Sequence, residues 1–296
     1  MIKKLGVATF MVAAIFCSNT LHGQSRLGLF IGGGASWYYG DMNDRIIAHQ
    51  DLITSHINGG LLYRLSWRWN LVANLQVGSI ESADSLAISE FKMNRNLSFR
   101  SKLTEGSLLL NYYLLNGQRV RPYLLGGIGF FQFNPKATSS NGEEVELQPL
   151  GTEGQFIQND NGNYPKPYKL TQISAPLGLG VEFMISKAFA ARVQATYHIT
   201  WTDYLDDVSG KYADSTALAS TPNGPLAVDM ANNLVSGYPL TAKSRGDSRQ
   251  NDLFSTVSVT ILYTPVFKKG SGVMRGITGA GLKPKKKRKN HCPAYN

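Results

Sequence analysis

From Ile57 to Val77 the chain alternates residue by residue. Odd positions carry Ile57, Gly59, Leu61, Tyr63, Leu65 and Trp67; even positions carry His56, Asn58, Gly60, Leu62, Arg64, Ser66 and Arg68. After Trp69 and Asn70 the pattern resumes, with Leu71, Ala73, Leu75 and Val77 against Val72, Asn74, Gln76 and Gly78. A period of two puts one set on each face of a strand. The break at Arg68 to Asn70 is short, so the two strands form an antiparallel hairpin. One face is apolar and ends in tryptophans; the other holds Arg, Asn, Gln and Ser. Two architectures make such a pattern: a soluble sheet with its apolar face inward, and a wall between lipid and a polar lumen with aromatics at the water interface.

The rest of the chain repeats the motif. A first strand spans about Arg26 to Tyr39, with Leu27, Leu29, Ile31, Ala35, Trp37 and Tyr39 against Gly28, Gly32, Gly34 and Ser36; its glycines suit a curved barrel wall. A strand from Leu97 to Leu115 has Phe99 and Leu103 on one parity and Leu108, Leu110, Tyr112 and Leu114 on the other, which predicts a β-bulge near Gly106. A fifth runs from Tyr123 to Phe133. A sixth alternates Ile173, Ala175, Leu177, Leu179, Val181 and Phe183; a seventh alternates Phe189 to Trp201. The last alternates Val257, Val259, Ile261, Tyr263 and Phe267. Eight strands result. Long loops near 45, 90, 150 and 225 alternate with tight turns near 69, 118 and 187. The predicted fold is therefore all-β: an eight-stranded antiparallel transmembrane β-barrel with short periplasmic turns and long extracellular loops. A lipocalin-type soluble barrel is the competing reading. It leaves unexplained the aromatics at strand ends on the apolar face. Trp37, Tyr39, Trp67, Trp69, Trp201 and Phe267 are accordingly predicted as membrane-interface anchors.

The ends fit export. Lys3 and Lys4 precede an apolar run from Leu5 to Phe16, then small and polar residues to Gly23. This predicts a signal peptide over 1–23, a barrel over 24–267 and a basic, flexible C-terminal tail over 268–296. The apolar run is too short to span a bilayer, and no later stretch approaches the ~18 apolar residues of a membrane helix. Cys17 follows the bulky Phe16, which argues against lipoprotein processing. The chain's 30 basic residues include nine between Lys268 and Asn296 and two in the leader, which leaves 19 against 20 acidic ones in the barrel segment. The net charge of +10 thus sits in the tail and is no signature of nucleic-acid binding. Five glycines make the tail unable to build a core. Its basic run, Lys285, Lys286, Lys287, Arg288 and Lys289, and the odd Cys292 leave two readings, a solvated tail or a docking arm for a periplasmic partner, with Cys292 either in a disulfide or a free thiol.

An eight-stranded barrel is just wide enough to be filled by side chains. Arg64, Glu105, Glu182 and Arg192 are predicted as inward charges that pair with one another, which disfavours a diffusion pore. His56 and His198 share the inward parity, but no Ser/His/acid set falls on the lipid face, so no catalytic residues are assigned. Asp203, Asp206 and Asp207, and the stretch Asn159 to Gly162, lack the spacing of a calcium loop. No metal or cofactor is read.

Several stretches resemble the PorG family of Bacteroidota outer-membrane proteins. These are Trp37-Tyr38-Tyr39-Gly40-Asp41, Asn96-Leu97-Ser98-Phe99-Arg100, Phe131 to Ala137, Leu147 to Gln155 (LQPLGTEGQ), Ser174 to Gly178 and Thr202 to Asp207 (TDYLDD). The resemblance implies a non-enzymatic component of the type IX secretion and gliding machinery. Its implied partners are outer-membrane lipid and a periplasmic ring of PorK lipoprotein and PorN. It implies nothing about loop chemistry.

Overall fold

The computed structural model describes residues 26–43, 49–115, 117, 119–157, 164–234 and 243–266. The signal peptide, Phe267, the basic run, Cys292 and Asn159 to Gly162 lie outside the described residues. Eight long strands close into one antiparallel barrel: β1 (Leu27–Tyr39), β2 (Thr54–Arg64), β3 (Trp69–Ala83), β4 (Ser98–Tyr113), β5 (Val120–Thr138), β7 (Thr171–Met184), β8 (Phe189–Thr200) and β9 (Leu253–Tyr263). A three-residue β6 (Glu144–Glu146) folds back on the upper end of β5. Each long strand pairs with its sequence neighbours, β4 with β5 among them, and β1 pairs with β9 to complete the ring. Three short helices, α1 (Glu90–Arg95), α2 (Ser215–Ala219) and α3 (Gly224–Ala231), all sit in the long connections.

The alternation sorts side chains as the sequence predicts. Ile31, Ile57, Leu61, Leu75, Leu108, Ile128, Leu177, Leu179, Val259 and Ile261 stand exposed on the outside. Between them His56, Asn58, Gln76, Glu105, Ser174, Thr196, His198, Thr256 and Ser258 are buried within. That is the inverse of a soluble barrel, and it excludes the lipocalin-type reading: an apolar exterior is tolerable only against hydrocarbon.

The predicted bulge at Gly106 is absent. β4 alternates without a break from Ser98 to Tyr113, and its registers with β3 and β5 are continuous. What changes along β4 is the environment. Near the long-loop end Phe99 and Leu103 point inward into an apolar cluster with Phe131, Phe133 and Phe254. Farther down, Leu108 and Leu110 point outward at lipid height. Apolar residues switch parity because the outer face passes from polar at Arg100 and Lys102 to apolar at Leu108 and Leu110, while the interior turns polar at Glu105 and Ser107; the strand keeps its phase.

The interior has three layers. At the short-turn end Phe30, Leu62, Val72, Leu109, Tyr113, Tyr123, Leu125, Ala190 and Leu262 form one apolar cluster. The middle is polar. At the long-loop end a larger cluster is continuous with the loops folded over it. Glycine is required where β1 presses on β9: a Cβ at Gly34 would lie 1.8 Å from the carbonyl oxygen of Val257.

Candidate functional site

The middle layer of the lumen is a hydrogen-bonded plug. Ser36 Oγ lies 2.9 Å from His56 Nδ1, and His56 Nε2 lies 2.9 Å from Ser258 Oγ. Glu105 Oε2 lies 2.8 Å from His198 Nδ1, and His198 Nε2 lies 3.2 Å from Thr256 Oγ1. Ser174 donates to the other oxygen of Glu105. Gly129 makes room here, since a Cβ would meet both Glu105 Oε1 and Ser174 Oγ at 2.5 Å. The His198 ring stacks on Phe254, centroids 4.2 Å apart. Below, Glu182 accepts from Tyr113 at 2.6 Å and from Arg121, with Arg192 Nε 3.9 Å away. Arg192 in turn donates to Tyr123 at 3.0 Å.

The predicted inward charges therefore divide. Glu182 and Arg192 pair, as inward parity requires. Glu105 is buried but takes a histidine as its partner, a pairing that spacing alone did not reveal. Arg64 is half-buried near the β2–β3 turn and, among the described residues, has no carboxylate within ion-pair distance. Arg121, missed in the sequence, completes the lower cluster because it begins β5 directly opposite Glu182.

The long-loop end is closed by a folded cap, and it is built from the stretches that carry the family resemblance. Tyr38, Asp41, Leu97, Phe99, Phe133, Leu147, Glu153, Leu205 and Asp207 come from five such stretches and meet there. Two buried arginines organise it. Arg95, at the end of α1, forks onto Asp84 (2.6 and 2.7 Å) and donates to the carbonyl oxygens of Asp41 and Arg245. Asn96, left-handed at φ 52°, ends the helix and turns the chain into β4. Arg245 donates to Glu153 Oε1 (3.1 Å), to the carbonyls of Asp207 and Ala231, and faces the Asp207 carboxylate at 3.7 Å. Glu153 also accepts from the amides of Ser209 and Gly210. Asp207 accepts from Tyr168 (2.7 Å) and Thr152. These contacts hold Asp207 in a left-handed backbone, φ 66°.

A third centre joins Tyr38 to two carboxylates. Its hydroxyl lies 2.7 Å from Asp206 Oδ2 and 2.7 Å from Asp252 Oδ1. A phenol has one proton to donate, so one carboxyl must itself be protonated and donate to the phenol oxygen. Burial pushes both carboxyls well above the usual range; the Asp206 charge adds to the rise of Asp252, and the Asp41 charge to that of Asp206. Gly40 is fixed by this contact: a Cβ there would lie 1.8 Å from Asp252 Oδ1 and 2.0 Å from Tyr38 Oη. Burial also raises Asp207, to about 6, against the lowering field of Arg245. Asp203 is raised to about 7, first by burial and then by the carboxylates of Asp41, Glu153 and Asp247. Asp206 and Asp207 are thus fully engaged within the protein, whereas Asp203 is not.

Of the predicted anchors, the five among the described residues lie at or near strand ends. Trp67 and Trp69 are exposed at the short-turn end, with Trp69 against Tyr112 at 4.7 Å and Arg68 over Trp67 at 4.2 Å. Trp201 is exposed at the long-loop end. Near it Trp37 Nε1 donates to Tyr39 Oη at 2.6 Å, and Tyr39 neighbours Tyr197 at 6.3 Å. Among the described residues no three His, Cys, Asp or Glu side chains converge on one metal position.

Residues 8–218 match the family model of the outer membrane protein beta-barrel domain. None of the curated proteins matches in sequence. Among solved structures, the chain is similar to Ail, the attachment invasion locus protein of Yersinia pestis, crystallised with the heparin analogue sucrose octasulfate. Identity there is 10%, over 82% of this chain and 99% of that one, at a TM-score of 0.39. Neisserial surface protein A matches at 8% identity over 82% and 99%, TM-score 0.40. The outer membrane enzyme PagL matches at 11% over 80% and 98%, TM-score 0.28. No role transfers at these scores. By its family model and its closed eight-stranded wall, the chain belongs to the outer membrane protein beta-barrel domain family.

Proposed function

We propose that the protein is a non-enzymatic outer-membrane component of the type IX secretion machinery that anchors or organises a periplasmic PorK/PorN-type ring. One observation carries the reading. The stretches on which the PorG resemblance rests are scattered from Trp37 to Asp207, yet they interlock in the cap and upper lumen. A resemblance made only of strand alternation would be spread evenly over the wall. In this reading the short turns and both termini are periplasmic, the cap is extracellular, and the rim aromatics sit at the two interfaces. The tail reaches the ring through Lys285 to Lys289, with Cys292 available for a disulfide.

The filled lumen supports a scaffold over a pore. The Glu105, His198 and Thr256 group resembles an acid–imidazole–hydroxyl relay, but it lies buried inside the barrel, away from lipid on the outer wall. That supports the non-enzymatic assignment. The alternative is an independent barrel that displays its loops. Affinity purification of the full chain from membranes separates the two. Ring proteins co-purify, and a deletion strain retains cargo inside, if the scaffold reading holds. An unassociated barrel with normal cargo export overturns it. Removing 268–296, or Cys292→Ser with non-reducing electrophoresis, then tests the tail.

A further inference from the structure

The outer wall is uneven near the long-loop end. On β1 and β8 it carries aromatics: Trp37, Tyr39, Tyr197 and, just past β8, Trp201. Across the ring, on β4 and β5, the outward positions are Arg100, Lys102, Asn134 and Lys136. Arg100 faces Glu81 at 3.5 Å. Glu146 is held by Lys136 at 3.3 Å and by the Asn134 side-chain amide at 2.9 Å. Lys102 is exposed and in register with Asn134. The Phe133 amide donates to the Leu170 carbonyl at 3.0 Å, so the β5–β7 register continues and sets exposed Lys169 on the other side of Asn134. Among the described residues neither lysine has a carboxylate within ion-pair distance. Two uncompensated ammonium groups thus flank one strand position above the apolar belt. Below them the wall has a notch. Gly106 faces outward, and nothing lies within 4 Å of the point where its Cβ would stand. The other outward strand glycines, Gly33, Gly59 and Gly126, each meet an atom at 3.2 Å or closer. Register places exposed Leu75 and Phe130 on either side of Gly106. No bulge and no close approach accounts for this glycine.

We infer that this face seats a phosphorylated lipid of the surrounding leaflet: Lys102 and Lys169 hold its headgroup phosphate, and an acyl chain fills the notch at Gly106. Ammonium groups beside an apolar belt bind phosphate through charge-assisted hydrogen bonds. The two parts are spaced for one molecule. Gly106 lies about 13 Å along the strand from Lys102, the reach from a headgroup phosphate to the upper part of an acyl chain. A strand glycine packs nothing and weakens the strand unless something approaches it closely; here the approaching group is the lipid. The rival account is a solvated polar rim above an idle glycine. It gives no reason for lipid binding to depend on Gly106. The inference uses only the membrane wall and stands apart from the secretion assignment.

The test is native mass spectrometry of the full chain in neutral detergent, titrated with diphosphorylated lipid A and with the same lipid after phosphatase treatment. One retained lipid A per chain is expected, and clearly weaker retention of the dephosphorylated form. The basic tail also attracts phosphate, so each comparison is between full chains that differ only at the tested positions. Lys102→Gln combined with Lys169→Gln should weaken retention by about tenfold or more. Lys187→Gln, at the β7–β8 turn on the other rim, should leave it unchanged. Gly106→Leu fills the notch without altering a charge and should weaken retention by about fivefold. Each variant should still shift on unboiled gels; if Gly106→Leu does not, Gly106→Val, better suited to a strand, takes its place. The inference falls if the native chain holds no lipid A, or if the dephosphorylated lipid is held as tightly. It also falls if the lysine pair or the filled notch retains lipid A as the native chain does.

Discussion

Wall and cap bury polar groups by opposite means. In the mid-height wall, side chains from different strands share the load in small groups: His56 lies between Ser36 and Ser258, and His198 between Glu105 and Thr256. In the cap, full charges are buried and cancelled by Arg95 and Arg245, each reaching several separate loop segments. A strand ladder already fixes the wall, so its interior groups need only fill space. Loops have no ladder. Their backbone carbonyls must find donors, and a guanidinium supplies five in a fixed fork. The cap's order therefore hangs on a few residues, and the wall's on many.

Several experiments probe that contrast. Arg245→Ala has the largest expected effect. It leaves Glu153 and Asp207 buried without their cation, a loss of about 3–5 kcal/mol. Proteolysis and hydrogen exchange should show the loops opening while the barrel stays heat-modifiable on gels. A barrel that unfolds together with its loops would erase the distinction drawn above. Ile57→Arg comes next. Ile57 faces outward, paired with Val77 and with Gly33, the middle residue of β1. An arginine there should cost about 2–4 kcal/mol in bilayers. An unchanged denaturation midpoint in liposomes would mean that this face does not meet hydrocarbon.

The pH response should separate the regions as well. Asp203 and Asp207, with folded values of about 7 and about 6, lie above the ordinary carboxylate value. The folded cap therefore holds extra protons between roughly pH 4 and 7, and its stability falls as pH rises through that window. The loops should resist protease better at pH 5 than at pH 8. Asp203→Asn should flatten the difference. Smallest is Trp201→Ala, which removes a 61% exposed rim aromatic. A loss of about 1 kcal/mol is expected in bilayers, and no change in the protease pattern of the cap.

Much of the wall was legible because its rule is local. A period of two names the face of every residue once one face is known, so Ile57, Leu61, His56 and His198 could be placed without seeing the fold. The rule misled at Gly106, where Phe99 and Leu103 gave the impression of a shifted strand. Parity reports the polarity on both sides of the wall, and both change with height. Partners were less legible than faces. Glu182 and Arg192 are register neighbours on β7 and β8, but Glu105 meets His198 across the lumen, a distance no sequence interval encodes.

By itself the sequence determined eight strands, their inside and outside, the order of long and short connections, and the family of fold, since alternation and turns are written residue by residue. Only the tertiary structure decided that the loops are a packed cap, that Arg95 and Arg245 hold it, and that three aspartates of one short stretch have three different fates: Asp206 shares a proton through Tyr38, Asp207 meets Arg245, and Asp203 is buried beside the Ser209 hydroxyl with no cation at ion-pair distance among the described residues. The reason is that a buried charge is fixed by whatever lies within a few ångströms of it, and in this cap those neighbours arrive from segments far apart along the chain.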